Sequence, residues 1–233
     1  MKKVIISLFS TLICLSAQAE INSKELVDIS KSHWAYNSVV KTIDTYKVMS
    51  CFVDHTFRGE ENVTRFELSL PILRLVRYLE TNKRTSLKNP SDEPADRYNR
   101  FSDIDKKDSN FLALAELKNN YKIVLLPPDQ KKFSGRTLVT RYELAYSINC
   151  ILDSIKNKNK DSNPYKTYKN INESIVDNNS NWIKNSVKLV SDNNIMSLNN
   201  KKDFSGNDII TRYELANTLN NLIEYIDKNQ IFR

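Results

Sequence analysis

Three arginines occupy the same place in a phrase that this 233-residue chain repeats three times. Arg65, Arg141 and Arg212 each follow a threonine (Thr64, Thr140, Thr211) and precede an aromatic residue and a glutamate (Glu67, Glu143, Glu214). Threonine followed three residues later by glutamate is a capping box. The hydroxyl accepts from a backbone N–H and the carboxylate reaches back to the cap, so both residues have a structural explanation. Arginine does not. At the first helical position it faces the positive end of the helix dipole. A cation placed three times where the helix disfavours it points to an anion, and a carboxylate within the chain is the competing partner to an external one.

The phrase begins upstream with Phe-x-Gly, at Gly59, Gly135 and Gly206, and these are the only glycines in the chain. Glycine tolerates positive φ, so its confinement to these positions predicts one left-handed turn needed three times. A fixed motif recurring at this interval marks a repeat protein.

Downstream, the apolar residues keep one spacing. Leu68, Ile72, Leu75, Val76 and Leu79 recur as Leu144, Ile148, Ile151, Leu152 and Ile155, and as Leu215, Leu219, Leu222, Ile223 and Ile226. This is one stripe along an α-helix. Upstream lie first helices containing Trp34, Phe111 and Trp182, which stand 25, 24 and 24 residues before their glycines. An indole can pack by one face and offer the other to a ligand. The prediction is an all-α chain of three helix–loop–helix units, with the striped helices central and pseudo-threefold. Pro71 falls inside the first striped helix, where a ring removes a hydrogen bond.

The units span 26–80, 101–156 and 175–228. The stretches 81–100 and 157–174, rich in Lys, Asn, Asp and Ser with Pro90, Pro94 and Pro164, read as polar linkers. Residues 1–19 read as a secretory signal: Lys2 and Lys3, an apolar run to Ser16, and Ala17-Gln18-Ala19. No membrane span is expected after cleavage, and the mature chain is expected in the periplasm or at the cell surface. Cleavage lowers the formal charge from +7 to +5 with the loss of Lys2 and Lys3. Export and the lack of a basic recognition helix argue against nucleic acid. Cys51 and Cys150 remain; Cys150 lies among apolar helix positions and reads as a small buried hydrophobe, although export permits a bridge.

Together, Asp-x5-Trp, Phe-x-Gly and Thr-Arg-aromatic-Glu over about fifty residues resemble the S-layer homology domain, in three tandem copies, in the form found in cyanobacteria-like, Gram-negative envelopes. The resemblance implies a three-pronged spindle with grooves between prongs. It implies non-covalent binding of cell-wall polymer, either peptidoglycan or an attached acidic or pyruvylated polysaccharide. It assigns Arg65, Arg141 and Arg212 to the anionic group, and Trp34, Trp182, Asp28, Asp103 and Asp177 to the sugar. Arg65 and Arg212 are each expected to face a groove that also holds a tryptophan. Repeat 2 departs from the pattern with Phe111 and the stiff Leu126-Pro127-Pro128.

An enzyme is the poorest fit. The only histidines, His33 and His55, match no metal spacing, and there is neither a phosphate loop nor a nucleophile elbow. No cofactor is expected. The rival reading is an envelope protein-interaction scaffold that has lost glycan binding. Little sequence lies outside the three units, so the expectation is a stand-alone adaptor between the wall polymer and a separate envelope protein.

Overall fold

The computed structural model describes residues 22–83, 86–88, 103–105, 107–127, 130, 132–156, 181–199 and 202–231. The signal segment, Asp177 and most of both linkers lie outside the described residues. The chain is all-α, with no β-strand among the described residues.

Helices α1 (Tyr36–Val40), α3 (Ser109–Tyr121) and α5 (Asn181–Asp192) are the first helices of the three repeats; α2 (Arg65–Lys83), α4 (Arg141–Lys156) and α6 (Arg212–Lys228) are the second. A π-helical turn, Lys41–Thr45, extends α1, with the Tyr46 N–H donating to the Lys41 carbonyl at 2.8 Å. All three first helices end in a left-handed residue, Lys47 (φ 56°), Lys122 (φ 56°) and Asn194 (φ 54°). Such a residue ends a helix by turning its last carbonyls back onto the chain. At α5, for example, the amides of Ile195 and Met196 both return to the Val190 carbonyl, at 2.9 and 3.1 Å.

The second helices start at the capping residues. Glu67 N donates to Thr64 Oγ1 at 3.3 Å, Glu143 N to Thr140 Oγ1 at 3.3 Å and Glu214 N to Thr211 Oγ1 at 3.2 Å. All fifteen stripe residues of α2, α4 and α6 are buried in a single hydrophobic cluster. Burial of each such side chain stabilises by about 1.5–3 kcal/mol, so the stripe is the main source of stability. The closest helix pairs are α2 with α3, α4 with α5, and α6 with α1. Each second helix therefore lies against the first helix of the next repeat, and the third repeat returns to the first.

The same cyclic order governs the turns. Val63 N donates to the Ile210 carbonyl (3.1 Å), Ile210 N to Val139 (3.0 Å) and Val139 N to Val63 (2.8 Å), a closed triangle of backbone bonds. The first amides of a helix have no partner within it. Here they donate across the repeats. Arg65 N and Phe66 N reach the carbonyls of Thr137 and Gly135, Arg141 N and Tyr142 N those of Asp208 and Gly206, and Arg212 N and Tyr213 N those of Glu61 and Gly59, all at 2.9–3.0 Å.

The glycines are needed for a different reason from the one the sequence suggested. None has positive φ; the left-handed residues are those just before, Arg58 (53°), Ser134 (49°) and Ser205 (51°). What glycine supplies is the missing Cβ. A Cβ at Gly59 would lie 2.0 Å from the Tyr213 ring, at Gly135 2.3 Å from Phe66, and at Gly206 1.9 Å from Tyr142. The aromatic residue of each T-R-[FY]-E thus sits on the bare backbone of the next repeat's turn.

Candidate functional site

Each motif arginine extends from the start of a second helix onto the following repeat. Its guanidinium donates in every case to the carbonyl of the phenylalanine two residues before that repeat's glycine. Arg65 Nη1 reaches the Phe133 carbonyl at 2.6 Å, Arg141 Nε that of Phe204 at 2.9 Å, and Arg212 Nε that of Phe57 at 2.9 Å.

The remaining bonds separate the three. Arg65, only 3% exposed, places Nη2 2.6 Å from Glu143 Oε1. Arg141, with its side chain 11% exposed, places Nη1 2.9 Å from Glu214 Oε1, and its Nη2 donates to the Ser197 carbonyl at 2.6 Å. Both pairs cross from one repeat to the next. In both glutamates the second oxygen serves the cap, accepting from Thr140 N at 3.4 Å and Thr211 N at 3.0 Å. For two of the three arginines, the intrachain carboxylate is the partner.

Arg212 has none among the described residues. Its Nη2 donates to the Ser50 carbonyl at 3.2 Å, and its guanidinium carbon lies 4.9 Å from the Phe52 ring centre and 4.8 Å from that of Phe57. The equivalent glutamate, Glu67, is turned onto its own cap, with Oε2 accepting from Thr64 N at 2.8 Å and Thr64 Oγ1 at 2.7 Å. Burial pushes the Arg212 pKa below the ordinary arginine value, and the nearby charges of Glu67 and Glu61 do not fully offset it.

The two tryptophans also differ. Trp34 is 61% exposed and lies at the junction of repeats 3 and 1, its ring 6.2 Å from Tyr213 and 5.5 Å from His33. Rings run onward from it: Tyr213 stacks on Phe57 at 5.7 Å, and Phe57 underlies Arg212. Trp182 is packed edge-on against Tyr146 at 5.2 Å, and its Nε1 is buried without a hydrogen-bond partner. Phe111 packs against the core. Arg65 lies on repeat 2, whose first helix carries Phe111, so among the described residues the junction joining a motif arginine to an exposed tryptophan is that of Arg212.

Asp28 and Asp103 support the turns. Asp28 accepts from Phe57 N at 2.8 Å and Arg58 N at 2.6 Å, and Asp103 from Phe133 N at 3.1 Å and Ser134 N at 2.7 Å. Burial raises the Asp103 pKa, but the amides of Ser134 and Phe133 outweigh it and hold the carboxyl below the usual range. Asp177 lies outside the described residues. Among the described residues neither Cys51 nor Cys150 is in a disulfide, and burial pushes the Cys51 thiol up. Among the described residues, no group of three or more His, Cys, Asp or Glu side chains could hold a metal ion, and no helix is long and apolar enough to cross a membrane.

Sequence reasoning missed Phe52, which follows no repeat pattern, and the cross-repeat role of Glu143 and Glu214. The second had a signal: arginine and glutamate recur together in every motif copy, and at two of the three junctions the arginine of one copy meets the glutamate of the next.

The family model described as "S-layer homology domain" matches residues 26–69, which hold the first repeat through the start of α2. Two curated relatives, both described as outer membrane protein SlpA of Thermus thermophilus, are 30% identical over 93 residues, or 40% of this chain and 10% of theirs. Residues 26–69 are thus similar to an S-layer homology domain. The chain's match spans about a tenth of the length of those relatives.

Proposed function

We propose that the chain anchors in the bacterial cell envelope by binding an anionic wall polymer, peptidoglycan or a polysaccharide attached to it, at the junction of repeats 3 and 1. One observation carries this reading. An exposed indole, Trp34, and a cation with no carboxylate in contact among the described residues, Arg212, are connected there by the continuous ring run Tyr213–Phe57. Such a surface offers a stacking face for a sugar ring and, beside it, a charge for an acidic substituent. The S-layer homology match and the envelope location of SlpA support the same reading.

The test is co-sedimentation of the purified chain with sacculi, intact and after removal of attached polysaccharide. Pelleting is expected with intact sacculi, and the stripped sample tells which polymer is held. Trp34→Ala, at an exposed position where substitution changes stability by roughly 0.5 kcal/mol or less, should weaken pelleting. Failure of the native chain to pellet, or pelleting indifferent to Trp34→Ala, would overturn the proposal.

A further inference from the structure

The three motif arginines do not have equal access to a ligand, and the difference lies in the glutamates. At Arg65 and Arg141 a carboxylate from the next repeat already occupies the guanidinium, at 2.6 and 2.9 Å, in surroundings that leave those side chains 4% and 11% exposed. An external anion would have to displace a buried, hydrogen-bonded partner, and breaking such a pair is strongly unfavourable. At Arg212 the equivalent carboxylate is held at Thr64 instead. The other acidic groups facing that guanidinium are also engaged: Asp28 holds the amides of Phe57 and Arg58, and Glu61 lies 3.9 Å from Arg58. Arg58 itself is paired with Asp54 at 2.9 Å.

We propose that Glu143 and Glu214 act as built-in anions that close two of the three arginine positions, so that the chain takes a single carboxylate, on Arg212. This rests on the envelope-polymer reading above and adds valence and charge to it. Among the described residues the third position lacks a carboxylate in contact with its guanidinium, and a carboxylate from the polymer supplies what Glu143 and Glu214 supply internally. A phosphate, with a second charge and three acceptor oxygens, finds at this junction only one guanidinium without a carboxylate partner among the described residues, since Arg58 is committed to Asp54.

The experiment follows the arginine Nε–Hε signals of the full ¹⁵N-labelled chain by NMR, with the Arg212 signal assigned by its loss in Arg212→Lys. N-acetylmuramic acid, a sugar carrying one carboxylate, is titrated in, with neutral N-acetylglucosamine and methyl phosphate as parallel arms. The expected result is movement of the Arg212 signal alone, saturating at one equivalent, with no movement for the neutral sugar and weaker binding of the phosphate. Movement at Arg65 or Arg141, more than one equivalent, equal or tighter phosphate binding, or an unmoved Arg212 signal would each overturn the inference. Sedimentation with sacculi in parallel separates the two levels. Pelleting without a response at Arg212 removes the inference and leaves the envelope reading, whereas absence of pelleting removes the reading itself.

Discussion

The Tyr213 ring lies where a side chain on Gly59 would have to go, 2.0 Å from the position of a Cβ there, although the two residues are 154 positions apart in sequence. The same arrangement joins Phe66 to Gly135 and Tyr142 to Gly206, so the three repeats interlock in a ring by ring-on-backbone contacts.

Gly59→Ala should therefore destabilise by about 1–3 kcal/mol or more, as overpacking does in a filled site. The cost comes from the ring and not from the backbone angle, because φ at Gly59 is not positive. In a Tyr213→Ala background the same substitution should cost much less. A double-mutant cycle by urea denaturation measures the coupling, and additive costs would refute the steric account.

Leu219, fully buried on α6, belongs to the shared stripe. Leu219→Ala should cost about 2–5 kcal/mol, lowering the denaturation midpoint with little change in slope. A cost below about 1 kcal/mol would mean that α6 contributes little to the common core.

The glutamates should separate sharply under conservative substitution. Glutamine serves well at the third position of a capping box, so Glu67→Gln should be close to neutral. Glu143→Gln removes the charge facing Arg65, which is 3% exposed, and breaking a buried pair from one side costs about 3–5 kcal/mol. Thermal or chemical denaturation of the two variants side by side checks this. Equal costs would show that Glu143 acts as a cap alone.

Acid should loosen the turn of repeat 2 through Asp103. Its carboxyl pKa is lower in the folded chain than in the unfolded one, so it adds stability above the unfolded carboxylate pKa. That contribution is lost as pH falls below the unfolded value and through the folded one. Asp54, held down to about 2 by the Thr56 hydroxyl and Arg58, follows the same sign over a window extending to about pH 2. Asp103→Asn should make stability less dependent on pH across the acid limb, as read from denaturation midpoints at a series of pH values. An unchanged acid limb would show that the carboxylate does not hold the turn.

Much of this protein was legible in one dimension because its local rules repeat. The Thr64–Glu67 spacing, the stripe from Leu68 to Leu79 and their two further copies define helix starts and buried faces through short-range geometry alone. Nothing in that pattern, however, says what lies across from a residue in another repeat. The glycines show the limit: sequence reasoning assigned them a backbone angle, whereas packing assigns them the space for an aromatic ring from a neighbouring unit.

Along the chain the three motif arginines are equivalent, and contacts between the folded repeats make them unequal. Arg65, Arg141 and Arg212 sit in near-identical phrases, and local physics treats them alike. Their difference arises across the junctions, where Glu143 and Glu214 turn outward to the preceding repeat and Glu67 turns back to Thr64, with Phe52 and Phe57 flanking the remaining cation. A guanidinium's partner is set by which groups fall within about 3 Å of it once the chain has closed on itself, and neither motif nor periodicity carries that distance.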